Sequence, residues 1–272
     1  MKDIYLIILI LLSANFTFAH GELDQRIKEV SAEIKSNPDS AFLYLKRGEL
    51  YYQHEEYKKS IQDFKKCSKL DYKGSRLLFG FAKSYERLEK ITTSLDYVNH
   101  ILANNANNVK ALRLKGQLLF KMKKYSQAAH NFEKVVKYAS KTIPENYLEI
   151  SQAWEKSNDN NALQRASDCI KKGILDLGEL QVFYIRLIEL YLKFEDYDSA
   201  LVYQSKILEN SKRNERAFYS RVLIYLKAGN TITARSDLEM SLSAIHHLPE
   251  RIKNNKAMKD LKSNVVQSLE RL

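Results

Sequence analysis

AFLYLKRGELYYQHEEYKKSIQDFKKC, residues 41–67, reads as two amphipathic helices joined by one turn. Tyr44, Gly48 and Tyr51 stand three or four apart and share one face of a first helix. A turn follows around Gln53 to Glu56. Tyr57 then opens a second helix, with Ser60, Phe64 and Cys67 on its inner face. The next stretch repeats the frame with Leu78, Ala82, Tyr85, Ser94, Val98 and Ile101, and a third with Leu112, Gly116, Leu119, Tyr125, Ala128, Phe132 and Val135. Small residues at Gly48, Ala82 and Gly116 on first helices, and at Ser60, Ser94 and Ala128 on second helices, let the two approach closely. Tyr51, Tyr85, Phe64 and Phe132 fill the space beside them.

The small residue on the second helix keeps returning, as Ser60, Ser94, Ala128, Ala162, Ala200 and Ala234, with gaps of 34, 34, 34, 38 and 34. A fixed period of this length marks one supersecondary unit that buries its apolar face by stacking on its neighbours. It points to a binding scaffold and away from an enzyme. An irregular helical bundle is the alternative architecture.

The pattern resembles the tetratricopeptide repeat: an aromatic or Leu, a small residue and Tyr on the first helix, then Ala, an aromatic and Ala on the second. Residues 41–67 and VKALRLKGQLLFKMKKYSQAAHNFEKVV, residues 109–136, carry it best, and Pro38 stands where the Pro preceding a repeat belongs. The fifth unit fits through Tyr184, Tyr191, Tyr197 and Ala200, the sixth through Phe218, Tyr225, Ala234 and Leu238. In the fourth, Tyr147, Trp154, Ala162, Ala166 and Cys169 fit if its turn is one residue short. The 38-residue gap places extra residues near KKGILDLGEL, expected as a longer loop at Gly173 to Gly178. Ile188 and Val222 replace the small residue of the first helix in the late units. The resemblance implies an all-α solenoid of helix-turn-helix units, a right-handed superhelix. The expected repeats are 41–74, 75–108, 109–142, 143–180, 181–214 and 215–248.

The two ends read differently. Lys2 precedes an apolar run from Ile4 to Leu12, and a polar stretch ends in Thr17-Phe18-Ala19. This is the pattern of a secretory signal peptide over 1–19, cleaved after Ala19. A retained membrane anchor is the alternative, but the run is too short to span a bilayer. Such a chain would be periplasmic or secreted. Within 20–40, Leu23, Ile27, Val30 and Ile34 share one face of a helix that ends at Asn37-Pro38 and can cap the first repeat. Within 249–272, Ile252, Met258, Leu261, Val265 and Leu269 read as a closing helix. Capped ends suggest a complete single-domain array.

The net charge of +11 favours acidic partners, although Lys and Glu are interleaved along the helices as on a solvated surface. Cys67 and Cys169 stand three units apart, beyond disulfide reach, and read as small core residues. No phosphate loop, CxxC or metal-spaced His pair occurs, so no cofactor is expected. FEDYDSA, residues 194–200, alternates carboxylates but lacks the Gly and distal Glu of a calcium loop; Asp198 is expected to cap the next helix. Cleavage after Ala19 would expose His20, whose amine and ring nitrogen could hold copper if the fold supplied a further ligand.

Arrays of the family that this chain resembles bind extended peptides or helices in a concave groove lined by the first helices. On that frame Leu45, Lys46, Glu49 and Tyr52 line the groove from the first unit. Arg76, Phe79, Lys83 and Glu86 follow from the second, and Lys110, Arg113, Gln117 and Phe120 from the third. Arg186, Glu189, Arg216 and Tyr219 come from later units. Arg76, Lys83, Lys110 and Arg113 form a basic stretch beside Phe79 and Phe120, suited to an acidic peptide or a C-terminal carboxylate. The family's chaperone-tail clamp would need its Lys, Asn and Arg residues where this chain has Leu45, Glu49, Gly80, Lys110 and Leu114. Only Lys110 matches, so that activity is not implied. The expected function is non-enzymatic binding of a protein or peptide. Binding of a polyanion, nucleic acid or acidic polysaccharide, is the alternative, with steep salt dependence.

Overall fold

The structure is a computed structural model and describes residues 21–272. The expected signal peptide and His20 lie outside the described residues. All regular structure among the described residues is helical. A helix over 21–36, α1, is followed by α2 (Ala41–Gln53), α3 (Tyr57–Lys69), α4 (Ser75–Arg87), α5 (Ile91–Asn104), α6 (Val109–Lys121) and α7 (Tyr125–Tyr138). Then come α8 (Pro144–Glu155), α9 (Ala162–Leu177), α10 (Gln181–Lys193), α11 (Tyr197–Glu209), α12 (Glu215–Lys227), α13 (Thr231–His246), α14 (Glu250–Lys253) and α15 (Lys256–Arg271). The chain forms two compact units, one ending at Ala139 and the other starting at Ser140. Within each, helices pair in order as hairpins, and every substantial helix contact joins helices no more than two places apart in the chain.

The hairpin turns have one local cause. Glu55, Glu89, Lys123, Glu195 and Gly229 each adopt φ between 59° and 75°, directly after a first helix has ended. The residue after each donates its N–H back five residues: Glu56 to Tyr51, Lys90 to Tyr85, Lys124 to Leu119, Asp196 to Tyr191 and Asn230 to Tyr225, all at 2.8 or 2.9 Å. This bond satisfies an orphan helix carbonyl and reverses the chain in three residues. The turn between α8 and α9 is built otherwise. Six residues, 156–161, separate the two helices, with no left-handed residue among them. The spacing from Trp154 to Ala162 is indeed one residue short, but the turn is longer than the others, because the first turn of the second helix has not wound. Asn161 caps α9 only through its backbone.

Two further expectations are corrected. Gly173 to Leu177 is not loop: α9 runs on to Leu177, and the extra residues lengthen this helix before Gly178 ends it at φ 90°. Glycine suits the helix there because position 173 faces Tyr147 and Phe183, where a Cβ would come within 2.9 Å of both rings. Asp198 lies inside α11; Asp196 is the cap, accepting from the Ser199 N–H at 3.1 Å. Asn108, Asn230 and Asn255 cap α6, α13 and α15 by the same bond.

In the first unit the core is built around Phe64, which is fully buried among Leu45, Leu77 and Phe81. Its ring lies between Gly48 of α2 and Gly80 of α4, and a Cβ on either glycine would come within 2.6 Å of it. Phe81, Tyr85 and Tyr97 stack beside it with centroids 4.8 to 6.3 Å apart. Cys67 is buried here, and burial pushes its thiol up to about 11. Cys169 is only half-buried; its thiol donates to the Tyr147 carbonyl at 3.2 Å. Ile27, Val30 and Ile34 of α1 cover Leu43 and Leu50. In the second unit Trp154, Tyr147, Tyr184 and Phe183 fill the centre, and Met258, Leu261 and Val265 of α15 close over Val222, Leu238 and Ile245.

One polar device occurs in both units. Arg47 of α2 makes a two-point bond to Asp63 of α3, at 2.7 and 2.8 Å, and its third nitrogen reaches Ser31 of α1 at 3.1 Å. Arg221 of α12 does the same to Asp237 of α13, at 2.6 and 2.8 Å, and to Ser205 of α11 at 3.1 Å. Aromatic rings flank both guanidinium groups, Tyr44 and Tyr51 in one, Phe218 and Tyr225 in the other. The match places α1 against α2 as α11 is placed against α12, so α1 occupies the position of a second helix.

Candidate binding groove

The first helices of the first unit line a groove of about 630 Å³. Glu49 and Tyr52 enter from α2, Arg76, Phe79 and Lys83 from α4, and Lys110 from α6. These positions recur three or four apart on each helix, so one face of each helix supplies them. Gly80 lies in the floor over the Phe64 ring. The structure thus brings together Glu49, Arg76, Phe79, Lys83 and Lys110 from the expected set. It adds Gln53, Ser75 and Asn108 at helix ends, which the repeat frame does not single out.

The charges in this groove are not equivalent. Arg76 is bound two-point to Glu49, both contacts at 2.6 Å, and that bond raises the guanidinium pKa further. The Phe42 ring lies 5.9 Å from the same group. Lys83 stands over the Tyr52 ring at 4.6 Å and over Phe79 at 5.9 Å, in the geometry of a cation against an aromatic face. Lys110 is exposed at the start of α6. The groove therefore offers two ammonium groups and an aromatic wall, with Arg76 and Glu49 already satisfying each other.

The other expected residues lie elsewhere. Leu45 is fully buried against Phe64 and lines no groove, because its place on α2 faces α3 and α4. Lys46 reaches Glu33 of α1 at 3.5 Å and belongs to the capped end. Arg113 is half-buried and Gln117 exposed on α6, outside the residues that line the groove. Phe120 packs edge-on against Tyr125 of its own hairpin at 5.1 Å. Arg186 is a brace between helices of the second unit: it donates to Ser151 at 3.1 Å, Glu155 at 2.6 Å and Glu189 at 3.3 Å. Burial alone would raise the Glu155 pKa, but bonds from Lys193 and Arg186 prevail and hold it below the ordinary value. Arg216 lines a separate hollow beside the start of α15, with Arg213 and Lys256.

Among the described residues no cluster of His, Cys, Asp and Glu is arranged to hold a metal ion, and no helix is long and apolar enough to cross a membrane.

No protein-family model and no curated protein matches the chain. Solved structures do. A tetratricopeptide repeat protein from Parabacteroides merdae is 16% identical with a TM-score of 0.55, over 90% of this chain and 93% of that one. MamA from Desulfovibrio magneticus RS-1 is 18% identical with a TM-score of 0.53, over 65% of this chain and 96% of that one. The C-terminal part of a TPR repeat-containing protein from Cytophaga hutchinsonii is 14% identical with a TM-score of 0.67, over 91% of this chain and 97% of that one. At such identities the likeness is one of fold, and the fold of this chain is that of the tetratricopeptide repeat.

Proposed function

We propose that this chain is an exported, non-catalytic scaffold that holds an acidic peptide segment of a protein partner in the groove of α2, α4 and α6. The observation that carries the reading is the placement of Lys83 and Lys110 beside Tyr52 and Phe79 in one groove. Carboxylates would meet the two ammonium groups, and an aromatic or aliphatic side chain of the peptide would lie on the ring wall. The stacked hairpins of α2 to α6 hold these groups on one side of the first unit.

Binding of a short fluorescent peptide that alternates Asp and Phe tests this with the full chain. The affinity is expected to fall about tenfold in the Lys83→Glu, Lys110→Glu double variant, equivalent to about 1.4 kcal/mol. Equal affinity in both proteins would sink the proposal. Heparin bound with a steep salt dependence, and no saturable peptide binding, would replace it with the polyanion reading.

The export part of the proposal rests on Lys2, the apolar run from Ile4 to Leu12 and the small Ala19. The intact mass of the protein from its own cells is expected to match a chain starting at His20. A mass that retains Met1 to Ala19 would refute cleavage.

A further inference from the structure

We infer that the outer face of the second helices of the first unit, α3, α5 and α7, docks on the anionic headgroups of a membrane surface. α3 carries Lys58, Lys59, Lys65, Lys66 and Lys69, and its one carboxylate, Asp63, is turned inward and bound to Arg47. Lys58, Gln62, Lys65 and Lys69 follow one another at steps of four, three and four residues. They therefore form one exposed stripe, about 16 Å long, on the side of α3 away from the buried Ser60, Phe64 and Cys67. The hairpins repeat at a period of 34, so equivalent positions of neighbouring second helices share this face. Lys134 and Lys137 of α7 hold the places of Lys66 and Lys69, and both are exposed. No ion pair to Lys58, Lys65, Lys69 or Lys134 is found among the described residues. Lys66 and Lys137 lie over the Tyr44 and Tyr138 rings, at 5.7 and 5.3 Å, and keep their charge.

Two observations set this face apart from an ordinary solvated surface. First, the second unit does not have it. Residues 21–139 hold 23 Lys and Arg against 14 Asp and Glu, and residues 140–272 hold 20 against 18, so most of the net charge of +11 lies in the first unit. Counted from the small residue of each second helix, the places of Lys65, Lys66 and Lys69 take up three carboxylates in the second unit: Asp168, Glu209 and Glu239. The two lysines found there are engaged, Lys171 with Asp168 at 3.8 Å and Lys206 with Glu179 at 3.1 Å. In the first unit only Glu133 holds such a place, and Asp96 stands where α3 has Gln62. Second, the kind of side chain selects the occupant. α3, α5 and α7 contain no Arg, whose planar fork fits one fixed carboxylate or phosphate; Lys is a hydrated point charge that attracts without fixing a register. The only large apolar side chain exposed on these helices is Tyr138, at the end of α7. A protein interface has an apolar centre poor in Lys, and this face has the reverse. It suits a layer of many identical, laterally mobile phosphates, each Lys near such a surface adding to the attraction. None of the groove residues takes part, so this inference and the peptide reading can fail separately.

The test is co-sedimentation of the full chain with vesicles of phosphatidylglycerol and phosphatidylcholine in equal parts, against vesicles of phosphatidylcholine alone. Binding is expected to the anionic vesicles only, and to be released as salt is raised from about 0.1 M to about 1 M. The apparent affinity is expected to fall at least about tenfold in the Lys65→Glu, Lys69→Glu, Lys134→Glu variant. A variant of the second unit with the same change in charge, Lys212→Glu, Lys259→Glu, Lys262→Glu, is expected to lose no more than about twofold. Should the first variant lose helical circular dichroism, Lys65→Gln, Lys69→Gln, Lys134→Gln replaces it, with a smaller loss in the same direction. Equal binding to both kinds of vesicle, or to neither, would overturn the inference. So would an equal loss in the two charge-reversed variants, which would trace the attraction to net charge and not to this face.

Discussion

Phe64→Ala is expected to destabilise the first unit by about 4 kcal/mol, more than any single surface change. The side chain is fully buried, and its ring lies against both Gly48 and Gly80. Neither glycine has a side chain that could move into the space, so the cavity would collapse poorly. Urea unfolding followed by circular dichroism measures the loss. A destabilisation under about 1 kcal/mol would mean that α2 and α4 close the gap by moving together, and that the sandwich is not the organising contact.

The second large effect concerns the paired braces. Asp63→Ala is expected to cost about 2–3 kcal/mol, because it strips the Arg47 guanidinium of its two-point partner inside a ring of tyrosines. The side chains are 19% and 8% exposed, so residual solvent access keeps the loss below that of a fully dry pair. An apolar replacement of both partners, Arg47→Met with Asp63→Leu, should recover most of the stability, since the cost lies in the orphaned charge. Asp237→Ala should lose a similar amount beside Arg221. If Asp63→Ala proves as stable as the wild type, the brace would be an ornament of an already stable hairpin. If the apolar double variant remains as unstable as Asp63→Ala, geometry and not charge sets the loss.

Much of this was legible in the amino-acid order. The small residues at Gly48, Ser60, Gly116 and Ala128 mark where helices meet, because close approach forbids anything larger, and the structure has aromatic rings against both glycines. Periodicity reports which face a residue occupies, but not how far its side chain reaches. Leu45 and Lys46 are neighbours on α2, and one is fully buried while the other reaches toward α1. Arg186 shares the frame of the groove, yet Glu155, some thirty residues earlier, claims it; only the folded hairpins bring the two together. The same holds for Arg76 and Glu49. The unwound start of α9 and the helix through Gly173 were also hidden, since a shift in period shows that residues are added or lost, not whether they enter a loop or a helix.

Because every substantial helix contact joins near neighbours in the chain, each unit can assemble through short loop closures alone. Low sequence separation of contacts goes with rapid folding, and folding in a stacked array can start at any hairpin and spread. A chain built this way can order hairpin by hairpin as it is made, each stacking on the one before it, without waiting for a distant partner helix.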